Sequence, residues 1–196
     1  MQNEQPYELI SAPGKIYRAP VGTEFPDPDT DPGMNWLLIG TTGDLNLTDA
    51  GITIAQPQTI NKFRPLGSGA PVKAWRSEED LMVRAVLADL TLEQYTELLN
   101  RNTVETLDGF ATVGLHRGIT VAECALLVHF DVSPYRADGT SQYEIPRAVQ
   151  QGQPEVVFNR GQGPALLALE WCALVDPNAT SDEERLGRFR AKLADT

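Results

Sequence analysis

At 196 residues the chain can bury one sizeable core and is too short for two comfortable domains. Its net charge of −11 at pH 7 works against tight nucleic-acid binding by charge and against an anionic membrane surface. No apolar run approaches the ~18 residues of a spanning helix, and the opening MQNEQPYEL shows neither the basic nor the apolar region of a secretory signal.

The first thirty-odd residues read as largely irregular. One strand is expected at Lys15 to Arg18, after the breaker Pro13-Gly14. The run EFPDPDTDPG that follows is too rich in proline and aspartate to continue a sheet, and reads as a solvated loop. Trp36 to Ile39 is a short apolar strand ending at Gly40, and Leu45, Leu47, Ile52 and Ile54 suggest two strand pieces around Asp49-Ala50-Gly51.

From Gln56 to Asp80 no regular period survives. The stretch contains Pro57, Pro65 and Pro71, the flexible Gly67-Ser68-Gly69, and a local concentration of positive charge at Lys62, Arg64, Lys73 and Arg76. A long irregular loop inside a compact domain is usually functional or disordered. The alternative is a long hairpin with Gly-Ser-Gly at its tip.

Leu81 to Asn102 organises the middle of the chain. Leu81, Val83, Ala85 and Leu87 alternate as in a strand; then Leu92, Tyr95, Leu98 and Leu99 fall on one face of a helix expected over about 91–101. Thr91 and Gln94 have the spacing of a capping box, and Asn102 is placed to be a left-handed stop. Phe110 to Leu115 is a weak strand. Thr120 to Val132 is the clearest one, with Cys124, Leu126, Val128 and Phe130 on an apolar face. Glu123, Ala125, Leu127, His129 and Asp131 form a mixed face, expected to be wet or against a partner. Asp138-Gly139 marks a turn. Tyr143, Ile145, Arg147 and Val149 alternate again, Val156 to Phe158 is a short strand, Gly161-Gln162-Gly163 a turn, and Ala165 to Val175 a long apolar strand. The last segment predicts a helix over about 182–194, with Ser181 as cap, Glu184 completing the box, and Leu186, Phe189 and Leu193 as its apolar stripe. The expected organisation is one β-sandwich domain over 1–177, carrying the loop 56–80, and a helical extension over 178–196. The fold class is mainly β, with about eight to ten strands in two packed antiparallel sheets or a barrel-like arrangement.

Chemistry-bearing patterns are sparse. Asp27-x-Asp29-x-Asp31 has the start of a calcium loop, but its glycine falls one place late at Gly33 and Leu38 occupies the place of the bidentate glutamate. Glu123, His129 and Asp131 share one strand face, with no nucleophile elbow beside them. Neither cysteine, Cys124 nor Cys172, sits in a Cys-x-x-Cys pair, and buried free thiols are the expectation. Asn46-Leu47-Thr48 and Asn178-Ala179-Thr180 match the glycosylation pattern by chance. No enzyme, no cofactor and no metal are expected; the function is expected to reside in surfaces and assembly.

The order of features resembles that of one family. Gly14-Lys-Ile-Tyr-Arg-Ala-Pro-Val-Gly-Thr23 is similar to the opening strand of the major tail proteins, or tail tube proteins, of long-tailed (siphovirus-like) bacteriophages, and the proline-rich loop follows as it does there. Trp36 to Gly40, Gly51-Ile-Thr-Ile, Asp80 to Thr91, Tyr143 to Ala148 and Ala165 to Asp176 resemble the elements that come next. The similarity covers roughly residues 7 to 177; the segment after Asp176 departs from it. The resemblance implies a β-sandwich with one flanking helix and copies that close into rings of six. It implies rings stacked into a hollow tube around a tape-measure protein, bounded by terminator and distal tail proteins, through which DNA passes unbound. The location implied is the virion tail, and the host cytoplasm during assembly. Within that reading the ring-to-ring contact is expected at Lys62, Phe63, Arg64, Lys73, Trp75 and Arg76, where basic and aromatic side chains gather in an acidic chain. The alternatives are another tail or neck ring protein, such as a terminator, and a cytosolic β-barrel that binds a small ligand or peptide.

Overall fold

The computed structural model describes residues 13–41, 46–88, 90–132, 139–153, 156 and 165–192. The strands are β1 (Gly14–Ala19), β2 (Leu37–Leu38), β3 (Leu47–Ala55), β4 (Gln58–Phe63), β5 (Lys73–Glu79), β6 (Met82–Leu87), β7 (Val104–Leu107), β8 (Phe110–Val113), β9 (Glu123–Phe130), β10 (Ser141–Gln150), β11 (Leu167–Ala173) and β12 (Arg188–Ala191), with one short helix, α1 (Leu92–Tyr95). Eight strands form one antiparallel sheet in the order β2-β1-β9-β10-β11-β6-β3, with β12 also on β10; β4–β5 and β7–β8 are separate two-stranded hairpins. The mainly β, antiparallel architecture with a flanking helix is the expected one, and its sheets are not closed into a barrel.

The sheet divides at β10. Ser141 to Glu144 pair with β12, whereas Ala148 to Gln150 pair with β11. Between these halves the register against β9 shifts, from Ile145↔Leu126 to Ala148↔Cys124. Pro146 lies in that shift, where its missing N–H breaks no ladder bond. The irregularity also changes which side chains face inward. Ile145 and Ala148 are buried in the main core, so the expected alternation through Arg147 and Val149 fails at the proline.

One face of the sheet carries that core. Ile16, Leu126, Val128, Ile145, Val83, Leu87, Leu167, Leu169 and Trp171 are each at most 2% exposed. Each such side chain contributes roughly 1.5–3 kcal/mol by leaving water. Leu98 closes the cluster from the helical segment. The opposite face of β9 is also covered, contrary to the expectation of a wet or partner-facing surface. Ala125 and Leu127 are 0% exposed beneath Trp36 and Phe25, so the proline-rich loop is folded back as a lid on its own sheet. The Trp36 indole donates to the carbonyl of Glu24 at 3.2 Å, and Phe25 packs on Trp36 at 5.0 Å between ring centres.

The expected three-turn helix is shorter. One α turn, Leu92–Tyr95, continues as a 3-10 turn over Thr96–Leu99. Thr91 caps it, its hydroxyl accepting from the Gln94 N–H at 3.2 Å, but the Gln94 side chain does not reach back. It accepts instead from the backbone N–H of Gly40 at 2.9 Å, tying the helix to the end of β2. The left-handed stop falls at Asn100 and Arg101, both at φ 60°, rather than at Asn102. β3 is one strand with a bulge between Leu47 and Ile52, rather than two pieces; Leu45 lies outside the described residues.

The C-terminal helix is replaced by other structure. Only Asp182–Glu184 form a 3-10 turn, Ser181 makes no side-chain cap, and Arg188–Ala191 are a strand. Gly187 enforces the change. Its φ is +134°, and a Cβ there would lie 2.5 Å from the Glu144 carbonyl oxygen, so the chain runs against β10 as only glycine permits. Period-two spacing then aims Arg188 and Arg190 at the same buried carboxylate. The expected turns at Asp138-Gly139 and Gly161-Gln162-Gly163, the strand at Val156 to Phe158 and the stripe residue Leu193 fall wholly or partly outside the described residues.

Candidate assembly surface

The Gln56–Asp80 stretch is ordered. β4 and β5 pair with Phe63 opposite Lys73, Lys62 opposite Ala74, Asn61 opposite Trp75 and Ile60 opposite Arg76, which is the hairpin alternative and not the irregular loop. At the tip the Ser68 N–H donates to the Pro65 carbonyl and its hydroxyl to the Ala70 carbonyl, 3.0 and 2.9 Å, so Gly67-Ser68-Gly69 reverses the chain. At the base the Asp80 N–H donates to the Pro57 carbonyl at 3.0 Å. Pro57, Pro65 and Pro71 all lie outside the paired residues. The two strands pack on each other and little on the body, and every residue of β5 is exposed. With no buried face, no apolar alternation is written into the sequence.

All six expected contact residues therefore lie on one arm. Phe63, Lys73 and Trp75 share one face of the ribbon, and Lys62 and Arg76 lie on the other, with Arg64 just past the end of β4. Phe63 and Trp75 are 51% and 54% exposed. Arg76 is less available than expected: it donates to Gln58 and to the Glu79 carboxylate, both at 2.9 Å, and so braces the arm internally. Lys62, Arg64 and Lys73 make no ion pair among the described residues. Ile60, Leu66 and Val72 were not singled out, yet they extend the exposed apolar surface of the arm. No periodic signal marks them, because the stretch buries neither face.

The β7–β8 hairpin is a second exposed ribbon. Its turn is Asp108-Gly109, at φ 52° and 81°, the paired positive values that join two strands tightly. Val104 and Val113 are half-buried toward the body, while Glu105, Leu107, Phe110 and Thr112 share the outer face. Leu107 and Phe110 are 74% and 75% exposed. The loop beyond it is held to the helix end: the Asn100 amide donates to the carbonyls of Arg117 and Thr120, and Asn102 to those of Gly114 and His116.

The remaining candidates resolve into structural partnerships. Asp27 accepts from Arg190 at 2.6 Å, Asp29 from Lys192 at 2.9 Å, and Asp31 from the Gly33 N–H at 2.9 Å, so the aspartate run anchors the lid to β12. Glu123 binds Arg147 at 2.7 Å and Asp131 binds Lys15 at 3.4 Å, so the residues flanking His129 face separate partners. Both cysteines are free, but only Cys124 is buried and Cys172 is half-buried, where two buried thiols were expected; burial pushes the Cys124 thiol up to about 11, with Arg101 pulling the other way. Glu97, 6% exposed, is paired with Arg18, and burial still raises its carboxyl above the usual range. No family model and no curated protein matches the chain.

Proposed function

We propose that this chain is a structural subunit that assembles into stacked rings, six copies to a ring, forming the hollow tube of a bacteriophage tail. The observation that carries the reading is the β4–β5 arm. Among the described residues, a ribbon that exposes Phe63, Trp75, Ile60, Leu66 and Val72 packs little on the body of its own chain. Exposed apolar side chains gathered on one projection mark an interaction surface. Lys62, Arg64 and Lys73 add positive charge that suits a neighbour from a population of copies each carrying −11. The resemblance of the ordered set of segments supplies the tail-tube identity. Its partners are then other copies, the tape-measure protein, and terminator and distal tail proteins, with DNA in transit and no catalytic role. The places of action are the host cytoplasm during assembly and then the virion tail.

A terminator or neck ring shares the surface chemistry and differs in stopping at one ring. The small-ligand barrel is less well supported, because the sheet stays open and its inner face is filled by Trp171, Leu126 and Leu169. Negative-stain microscopy of the purified chain over a range of protein and salt concentrations tests the reading. Tubes with a regular axial repeat are expected. Single rings that never stack favour a terminator, and a monomer under every condition overturns assembly altogether.

A further inference from the structure

We infer that the outer face of the β7–β8 hairpin is the seat on which the β4–β5 arm of a second copy docks. The inference rests on the assembly reading and names the acceptor surface for it. The two ribbons present matched faces of opposite charge. On the arm, Lys73 has Phe63 opposite it and Trp75 two residues along; on β7–β8, Glu105 has Thr112 opposite it and the facing pair Leu107 and Phe110 beside it. All four apolar side chains are at least half exposed, and neither charge is engaged in an ion pair among the described residues. Two-stranded ribbons pack face to face at about 10 Å, a spacing that brings side chains of this size into contact. Lys73 then meets Glu105 beside these apolar contacts, which lower the local dielectric and strengthen the pair. On the other face of β7–β8, Val104 and Val113 are half-buried, and Thr106 and Ala111 offer no large apolar side chain.

The two faces are unlike and belong to one chain, so the contact is heterologous. Each copy gives an arm and receives one, as propagating or ring-closing assemblies require. The sign of the charges gives specificity: arm against arm places Lys73 on Lys73, and seat against seat places Glu105 on Glu105.

Charge reversal tests the pairing. Lys73→Glu and Glu105→Lys are made singly and together, and assembly is read by light scattering and negative-stain microscopy at the concentration where the parent forms polymer. Both sites are exposed, so circular dichroism melts matching the parent are expected for all variants. Each single variant is expected to need at least tenfold more protein to assemble. The double variant recovers, and so does an equimolar mixture of the two singles, since each reversed face then finds its complement. Assembly by Glu105→Lys at the parent's concentration overturns the seat and means that the face serves another partner. Loss in both singles without recovery in the double variant or the mixture also overturns it. A parent that never assembles is a different failure: it overturns the function proposed above, and this inference with it.

Discussion

The Nε of Arg188 lies 2.6 Å from the Glu144 carboxylate, a group only 1% exposed in the middle of β10. Arg190 reaches the same carboxylate at 3.0 Å and continues to Asp27, while Gln142 donates both to Glu144 and to the Pro26 carbonyl. One buried acid thus joins the lid, β10 and the last strand. A buried carboxylate is tolerated only when its charge is matched, so the C-terminal residues are part of the fold rather than an appendage.

Removing both arginines should therefore destabilise more than a surface change does. Arg188→Ala with Arg190→Ala leaves Glu144 charged and unpaired, at a cost of about 3 kcal/mol or more. Adding Glu144→Gln should recover a good part of the loss, because the neutral amide needs no counter-charge. Urea unfolding of the three proteins measures this. A double variant within about 0.5 kcal/mol of the parent, the range of ordinary surface substitutions, would show that the network contributes nothing.

What the sequence made legible follows one physical line. β6 and β11 were readable because a buried face writes period two into the residues, Val83, Ala85 and Leu87 or Leu167, Leu169 and Trp171, and β9 because it is apolar on both covered faces. The arm was not, because neither of its faces is buried, although its basic and aromatic residues marked it as a surface. The C-terminal segment misled because acids followed by bases suit a helix dipole equally well. The deciding facts were tertiary, namely the backbone of Glu144 against Gly187 and the carboxylate awaiting Arg188. The Asp108-Gly109 pair was a local signal that could have placed the second hairpin.

Asn100 should be sensitive in two separable ways. It adopts φ 60°, and its amide bonds Arg117, Thr120 and Ala122 of the loop that follows β8. Asn100→Gly keeps the backbone conformation and loses the bonds, whereas Asn100→Ala loses both. The alanine variant should be the less stable by about 1 kcal/mol, the left-handed penalty of a side chain. Equal stabilities in denaturant unfolding would mean that the loop, not the residue, sets that conformation.

Acid should weaken the fold through His129. Its Nδ1 is buried without a hydrogen-bond partner among the described residues, and burial holds the imidazole below its usual 6.5. Asp131 and Asp31 pull the other way and Lys15 adds to the lowering, while Gln142 opposite is uncharged. The folded state then binds fewer protons than the unfolded state in the window below 6.5, so stability is lost as the pH falls through that window. His129→Gln should show a smaller drop in unfolding free energy between pH 7 and pH 5, roughly the span over which an ordinary histidine charges. The same drop in both proteins would place the acid sensitivity elsewhere.

The arm offers the cleanest separation of folding from assembly. Residues 63–74 contribute none of the buried core side chains, and β4 and β5 pack mainly on each other. Replacing Phe63 to Ala74 by a short glycine-serine linker removes Phe63, Leu66, Val72, Lys73 and the hairpin tip without opening the main sheet. The variant should unfold cooperatively within a few degrees of the parent, since no buried apolar area is lost from the core. It should also stay small in light scattering at concentrations where the parent forms tubes. A large fall in melting temperature would mean that the arm supports the fold it projects from. Polymerisation equal to the parent's at matched protein and salt would move the stacking contact off the arm and onto the rims of the eight-stranded sheet.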